Sequence, residues 1–237
     1  MNRIEAGNRI FVALDGMTAE QAIALADRIG HKVGGFKIGL DLISRQQAGI
    51  VAEYMVKKGY RFFWDGKLDD IPKTVGDAAK AIATWGAMMF NVHASAGVDA
   101  MRAAVANKGQ SLVLAVTVLT SLEENEAHLI FGAPNRAKVL QFARDAVLAG
   151  CDGVVCSPLE LEVLGKRPEL KVLIEVTPGV RPVGSSKGDQ ARVTTPGEAI
   201  KAGADYLVIG RPITEPDSGT PEEAVDRIVE EIAEALG

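Results

Sequence analysis

Cysteine, histidine and aromatic residues are all scarce in this chain of 237 residues, which carries two cysteines, three histidines and 5% Phe, Trp and Tyr. The two cysteines, Cys151 and Cys156, lie in one apolar segment, so they supply neither a disulfide framework nor the Cys/His spacing of a zinc site. His31, His93 and His128 are too few and too scattered to suggest a histidine metal triad. No apolar run approaches the roughly 20 residues that span a bilayer, and Met1 to Arg9 lacks the apolar core of a signal peptide. The expectation is a cytoplasmic chain with no membrane partner. An excess of positive charge is missing as well. At a net charge of −5 there is no basic stripe for nucleic acid, and any anion must be caught in a local pocket.

What is present is an ordinary globular composition, 47% hydrophobic and 24% charged, without a linker-like stretch, and this fits one domain over residues 1–237. Short apolar strands alternate with longer helical patterns from end to end, the order that builds parallel strands joined by helical crossovers. Eight strands are predicted near Ile10 to Leu14, Gly35 to Ile38, Arg61 to Trp64, Met88 to Val92, Leu112 to Val118, Gly153 to Cys156, Lys171 to Val176 and Tyr206 to Ile209. Helix starts are marked at Thr18 and at Thr220-Pro221. The segments Ala149-Gly150-Cys151-Asp152-Gly153 and Ala202-Gly203-Ala204-Asp205-Tyr206 repeat one pattern, a helix end, a glycine cap and a new strand. Eight such units in this length fit an α/β fold of the (β/α)8 TIM-barrel type, with an open doubly wound sheet as the alternative.

The expected strand ends are polar. They carry Asp15, Lys37, Asp65 with Lys67, Asn91 with His93, Thr117 with Thr120, Ser157, Thr177 followed by Arg181, and Gly210 with Arg211. Active sites of such barrels form at the C-terminal ends of the strands. The third strand runs directly into charge, Phe62-Phe63-Trp64-Asp65-Gly66-Lys67-Leu68-Asp69-Asp70-Ile71-Pro72. Residues two apart on a strand share a face, so Asp65 and Lys67 can meet, with Asp70 arriving from the following turn. The same run also reads as a strand fraying into a solvated charged turn. After the last strand, Gly210 lets backbone approach an anion and Arg211 offers a fork of donors, at the place where phosphate sites recur in these barrels. A structural arginine fits there equally well. The long glycine-rich stretch from Thr177 to Gln190 has the character of a loop that closes over a ligand. His93 reads either as a pocket residue or as a structural hydrogen-bonding group. Cys156, with no base near it in sequence, reads as a packed residue. Trp64 and Trp85 read as packing residues, and the acidic C-terminal helix as a solvated face.

Together, Val12-Ala13-Leu14-Asp15, Phe36-Lys37-Ile38-Gly39, Asp65-x-Lys67-x-x-Asp70-Ile71-Pro72, Thr177-Pro178-Gly179-Val180-Arg181-Pro182 with Gly188-Asp189-Gln190, and Val208-Ile209-Gly210-Arg211-Pro212-Ile213 closely resemble the orotidine 5′-monophosphate decarboxylase family in its bacterial form. The resemblance spans nearly the whole chain, and Asp69 stands where bacterial relatives often carry His. It implies decarboxylation of orotidine 5′-monophosphate to uridine 5′-monophosphate, the closing step of pyrimidine synthesis, with no metal and no cofactor. On the family's pattern Lys67 protonates C6 of the pyrimidine, Asp65 lies beside the departing carboxylate, and Lys37 holds the array and the ribose. Asp15 would bind ribose and Thr120 the base, while Arg181, Gln190, Gly210 and Arg211 would grip the phosphate. Asp70 and Thr74 would reach the site of the partner subunit in a homodimer. Two rivals share parts of the pattern. One is a magnesium-dependent sugar-phosphate decarboxylase or aldolase of the same superfamily, which places an acidic metal ligand where this chain has Lys37. The other is a nucleotide-binding barrel without catalysis.

Overall fold

The computed structural model describes residues 3–182 and 194–237. Eight strands, β1 (Ile10–Ala13), β2 (Gly35–Gly39), β3 (Phe62–Leu68), β4 (Met89–His93), β5 (Leu112–Val116), β6 (Gly153–Val155), β7 (Ile174–Pro178) and β8 (Tyr206–Ile209), pair in parallel and in chain order. The barrel closes where β8 returns to β1, with Ile10 opposite Leu207 and Val12 opposite Ile209. This is the (β/α)8 barrel; the open sheet is set aside because neither terminal strand is left with a free edge.

Alternation along the strands builds two separate cores. Ile10, Val12, Phe36, Ile38, Phe62, Phe90, Val113, Val154 and Ile209 face outward into one continuous core with the helices. Phe11, Ala13, Phe63, Met89, Leu114, Val176 and Val208 face inward and fill the lower barrel. Continuing these inward rows by two residues toward the C-terminal mouth leads from Phe63 to Asp65 and from Met89 to Asn91. The neighbouring Lys37 lies between outward-facing Phe36 and Ile38. The floor of the barrel is thus apolar and its upper layer charged.

The helices start and stop where local chemistry dictates. Thr18 caps the helix Ala19–Ile29 and Thr220 caps Pro221–Leu236, each through a reciprocal box with Gln21 or Glu223. The helix Asn135–Ala149 ends at Gly150, whose φ of 82° is the left-handed conformation that glycine adopts without a Cβ penalty. The acidic face of the C-terminal helix is in part tied down, Glu222 to Arg28 at 2.6 Å and Glu230 to Arg3 at 3.0 Å. Trp64 and Trp85 stack on one another with centroids 5.9 Å apart.

Two strands differ from their predicted spans by three residues or more at one end. β7 begins at Ile174 instead of Lys171, because Pro168–Leu170 forms a tight turn of 3-10 helix just before it. β3 continues to Leu68, so Asp65 and Lys67 belong to the strand, while Asp69 and Asp70 lie in the exposed turn after it. Its pairing with β4 shifts register between Trp64 and Leu68, and Lys67 adopts a φ of 47°.

One outward carboxyl is poised to titrate near neutrality. Burial, and then the neighbouring Asp205 carboxylate, push Glu175 on β7 up to about 7 from an ordinary 4.5. The folded chain therefore holds this proton more tightly than the unfolded chain does, so Glu175 withdraws stability as pH rises from about 5 to above 7. Discounted for its partial exposure, the effect is on the order of 1 kcal/mol. Glu175→Gln is expected to raise the melting temperature by about 2–4 °C at pH 8 and to change it little at pH 5. Equal shifts at both pH values, read by calorimetry, would contradict this assignment.

Candidate active site

Lys37, Asp65 and Asn91 are buried at 7%, 6% and 1% exposure; Asp15, Lys37, Asp65 and Lys67 form a chain of alternating charge to which the neutral Asn91 amide is bonded. The Lys37 ammonium donates to Asp15 Oδ1 at 3.0 Å and lies 3.0 Å from Asp65 Oδ2. The Lys67 ammonium donates to the other Asp65 oxygen at 2.6 Å. Asn91 Nδ2 donates to that same oxygen at 2.7 Å, and Asn91 Oδ1 accepts the Lys67 backbone N–H at 2.8 Å. That last bond replaces a ladder bond where the register shifts, and it anchors the left-handed turn of Lys67. The turn aims the lysine side chain, 30% exposed, at the cavity. A left-handed lysine costs of order 1 kcal/mol and persists only where its surroundings hold it.

The electrostatics follow from this packing. Burial pushes the Asp65 carboxyl upward, but the Lys37 and Lys67 cations and the bonds from Lys67 and Asn91 outweigh it and hold Asp65 below its ordinary value. Burial likewise disfavours the Lys37 ammonium, and Asp65 and Asp15 overcome that and raise it. Both groups are ionised in a water-poor pocket, where unpaired charge would be costly. Gly39 makes the crowding possible: a Cβ there would lie 2.2 Å from Asp15 Oδ1 and 2.7 Å from Lys37 Nζ.

The array opens into a cavity of about 540 Å³ to which all eight strands or the loops just after them contribute. Asp15, Lys37, Asp65 and Lys67 line one side, and Thr120 sits on the wall that follows β5. Arg181, Gly210 and Arg211 line the side formed after β7 and β8. Arg181 is buried and donates from Nη1 to the Val180 carbonyl at 3.1 Å, which fixes its stem against the wall. Gln190, together with Gly188 and Asp189, lies outside the described residues. Asp70 and Thr74 are exposed and do not line the cavity of their own chain; Asp70 Oδ1 accepts the Ile71 N–H at 2.6 Å, in the turn before the helix Pro72–Thr84.

Asn91 is the functional residue to which the sequence assigned no role, although its inward position two residues beyond Met89 marks it. His93 stays off the cavity wall, and burial, aided by the Lys67 cation and opposed by Asp69 and Asp65, lowers its proton affinity. Cys156 does reach the wall, but burial raises its thiol well above the ordinary value, so it is a neutral packing group.

Eight parallel strands closed around a pocket with paired lysines and carboxylates on one side and two arginines on the other make a barrel enzyme for an anionic substrate. The chain belongs to the orotidine 5′-phosphate decarboxylase/HUMPS family, whose model matches residues 8–228. It is 44% identical to the orotidine 5′-phosphate decarboxylase of Heliobacterium modesticaldum, across 98% of this chain and 99% of that one. It is also 44% identical to the enzyme of the same name from Pseudomonas paraeruginosa, across 94% and 97% of the two chains. Among solved structures, orotidine 5′-phosphate decarboxylase from Lactobacillus acidophilus superposes with a TM-score of 0.79 at 32% identity, covering 94% of this chain and 98% of the other. The Pyrococcus horikoshii enzyme superposes at 0.75 with 26% identity, over 94% and 99%.

Proposed function

We propose that this barrel decarboxylates orotidine 5′-phosphate to uridine 5′-phosphate in pyrimidine synthesis, with Lys67 as the proton donor. The observation that carries the assignment of roles is the Asp15–Lys37–Asp65–Lys67 chain, which ends on an ammonium facing the cavity. The C6–carboxylate bond breaks, carbon dioxide leaves, and the electron pair left on C6 takes a proton from the Lys67 ammonium, which water then restores. Asp65 lies beside the departing carboxylate and orients Lys67, while Asn91 holds both. Asp15 and Lys37 take the ribose and Thr120 the base. Arg181, Gly210 and Arg211, with Gln190, grip the phosphate. Binding energy from that remote end orients the reacting carbon and helps exclude water from it.

The donor set speaks against a divalent cation in this position, because the Lys37 ammonium already lies within 3.0 Å of both carboxylates that could hold one. The decisive assay follows the absorbance of orotidine 5′-phosphate with purified protein, with and without excess chelator. Turnover that resists chelator is expected. Turnover abolished by chelator would favour a metal-dependent sugar-phosphate enzyme of the family, and nucleotide binding without turnover a non-catalytic barrel.

A homodimer completes the site in this reading. Asp70 and Thr74 point to no group of their own cavity, and the intervening Ile71 is 66% exposed, as a side chain awaiting a partner surface would be. Sedimentation should give the mass of two chains, and a stable monomer with full activity would remove the partner's role. A cytoplasmic location accords with two buried, free cysteines. Among the described residues no helix is long and apolar enough to cross a membrane.

A further inference from the structure

Behind the wall of the cavity that carries Thr120 lies a second, small chamber of about 20 Å³, lined by Asn135, Ser157 and Glu160 on one side and by Val118, Leu119, Thr120 and Pro178 on the other. The latter four also line the main cavity, so the partition between the two spaces is one residue thick. Asn135 opens the helix Asn135–Ala149 and is held there by its N–H, which donates to Glu124 Oε1 at 3.0 Å. Its side chain is buried at 8% exposure, and its Oδ1 has no hydrogen-bond partner among the described residues. A buried carbonyl oxygen left unpaired costs about 1–3 kcal/mol, so such an atom calls for a partner.

We propose that Asn135 is a positioning residue for substrate binding: with the Ser157 hydroxyl it holds one water molecule in this chamber, and that water fixes Thr120 against the pyrimidine base. The inference rests on the decarboxylase reading above. The chamber exceeds the roughly 10–15 Å³ that a single water requires, and its lining offers the two to four polar partners that a buried water uses. Ser157 Oγ accepts the Leu159 N–H at 3.4 Å, which leaves its own proton to give. The hydroxyl is set in place by a reciprocal capping box, in which the Ser157 N–H donates to Glu160 Oε2 at 2.9 Å. The water accepts from Ser157, donates to Asn135 Oδ1 and keeps its second proton for the Thr120 side of the partition. Segment 118–120 is thereby braced from behind on a buried polar contact instead of on apolar packing alone, and a base meeting Thr120 meets a group already oriented.

The test compares Asn135→Leu, which keeps the volume and removes the acceptor, with Asn135→Asp, which keeps the acceptor in a helix's first turn where an acidic group is favoured. Asn135→Leu is expected to raise KM for orotidine 5′-phosphate about tenfold while kcat falls by less than about threefold, with the dissociation constant of uridine 5′-phosphate rising in parallel. Asn135→Asp is expected to stay within about threefold of wild type in both. A high-resolution crystal structure of the wild type should show one water within hydrogen-bonding distance of Asn135 Oδ1 and Ser157 Oγ. An Asn135→Leu protein with wild-type KM and an unchanged or higher melting temperature would overturn the proposal, since an oxygen that serves nothing is better replaced by an apolar group. A dry chamber would overturn it too, whatever the variants do. Failure of the wild type to turn over orotidine 5′-phosphate would instead sink the decarboxylase reading, with the crystallographic water still deciding whether the chamber is a water site.

Discussion

Lys67→Ala is expected to lower kcat for orotidine 5′-phosphate by at least about 10⁴-fold while the affinity for uridine 5′-phosphate falls no more than about tenfold. The two effects separate because Lys67 has two kinds of partner. Toward the cavity it presents a cation, and in the proposed mechanism a proton. A unit charge about 4 Å from a developing carbanion is worth about 4 kcal/mol at an effective dielectric near 20, which is close to 10³ in rate, and proton delivery adds about 10²–10⁴. Toward the protein it neutralises Asp65, yet Asp65 keeps the Lys37 ammonium at 3.0 Å and the Asn91 amide at 2.7 Å, so the pocket retains its shape. The opposite side of the cavity, built from Arg181, Gly210 and Arg211 and proposed to hold the phosphate, is untouched. Absorbance kinetics and product titration calorimetry read the two quantities. Turnover within tenfold of wild type would remove Lys67 as donor and leave carboxylate stress from Asp65 as the main source of rate. Mixing inactive Lys67→Ala with Asp70→Ala protein should restore part of the turnover, because in the proposed homodimer exchange of subunits recreates one site with both groups intact; no recovery after proven exchange would place Asp70 outside the partner's site.

Much of this arrangement was legible in the sequence, for identifiable reasons. The eight strands are short apolar runs closed off by glycine-capped helix ends such as Gly150, and their order admits only parallel pairing through helical crossovers. The polar strand ends then had to gather at one mouth, and Asp15, Lys37, Asp65, Lys67, Thr120, Arg181, Gly210 and Arg211 all line the cavity. What escaped depends on contacts between strands. The left-handed turn at Lys67 is set by the side chain of Asn91, 24 residues away, and no local propensity of Gly66-Lys67-Leu68 announces it. Strict alternation would have brought Lys67 and Asp65 to one face on its own; the register shift changes how they meet and leaves the ammonium on the cavity wall. β7 starts later than expected because Lys171 to Leu173 reads as apolar enough for a strand, while the turn that begins at Pro168 runs on through these residues, the Leu173 N–H donating to the Leu170 carbonyl at 3.0 Å. Asn135 carried no sequence signal at all, since a buried amide at a helix start looks like an ordinary capping residue.

Lys37→Met should have the largest effect on the folded state, a loss of about 3 kcal/mol at pH 8, or about 6–12 °C in melting temperature for a chain of this size. Methionine fills a similar volume, so the loss is of charge and not of packing. In the wild type Asp65 sits below its ordinary 3.8, and its contribution to stability is present above that value and lost as pH falls through the lowered one. Lys37, itself raised above 10.5, contributes at every pH below that and does not titrate in the range considered. Burial is already the largest influence on Asp65, and with Lys37 gone only Lys67 and Asn91 oppose it, so the direction is expected to reverse, the carboxyl being protonated more readily in the folded chain than in the unfolded one. The sign of the pH dependence therefore inverts: the deficit is full at pH 8 and shrinks toward pH 5 as Asp65 takes up a proton and no longer needs a counter-charge. Denaturant titrations at the two pH values read this directly. A deficit that is the same at both would mean that Lys67 and Asn91 alone keep Asp65 ionised, and Lys37 would then matter for the ribose and not for the array. A variant as stable as wild type at pH 8 would show that the buried ion pair carries no net stability, and that its retention serves the placement of Lys67 on a carboxylate held in one orientation.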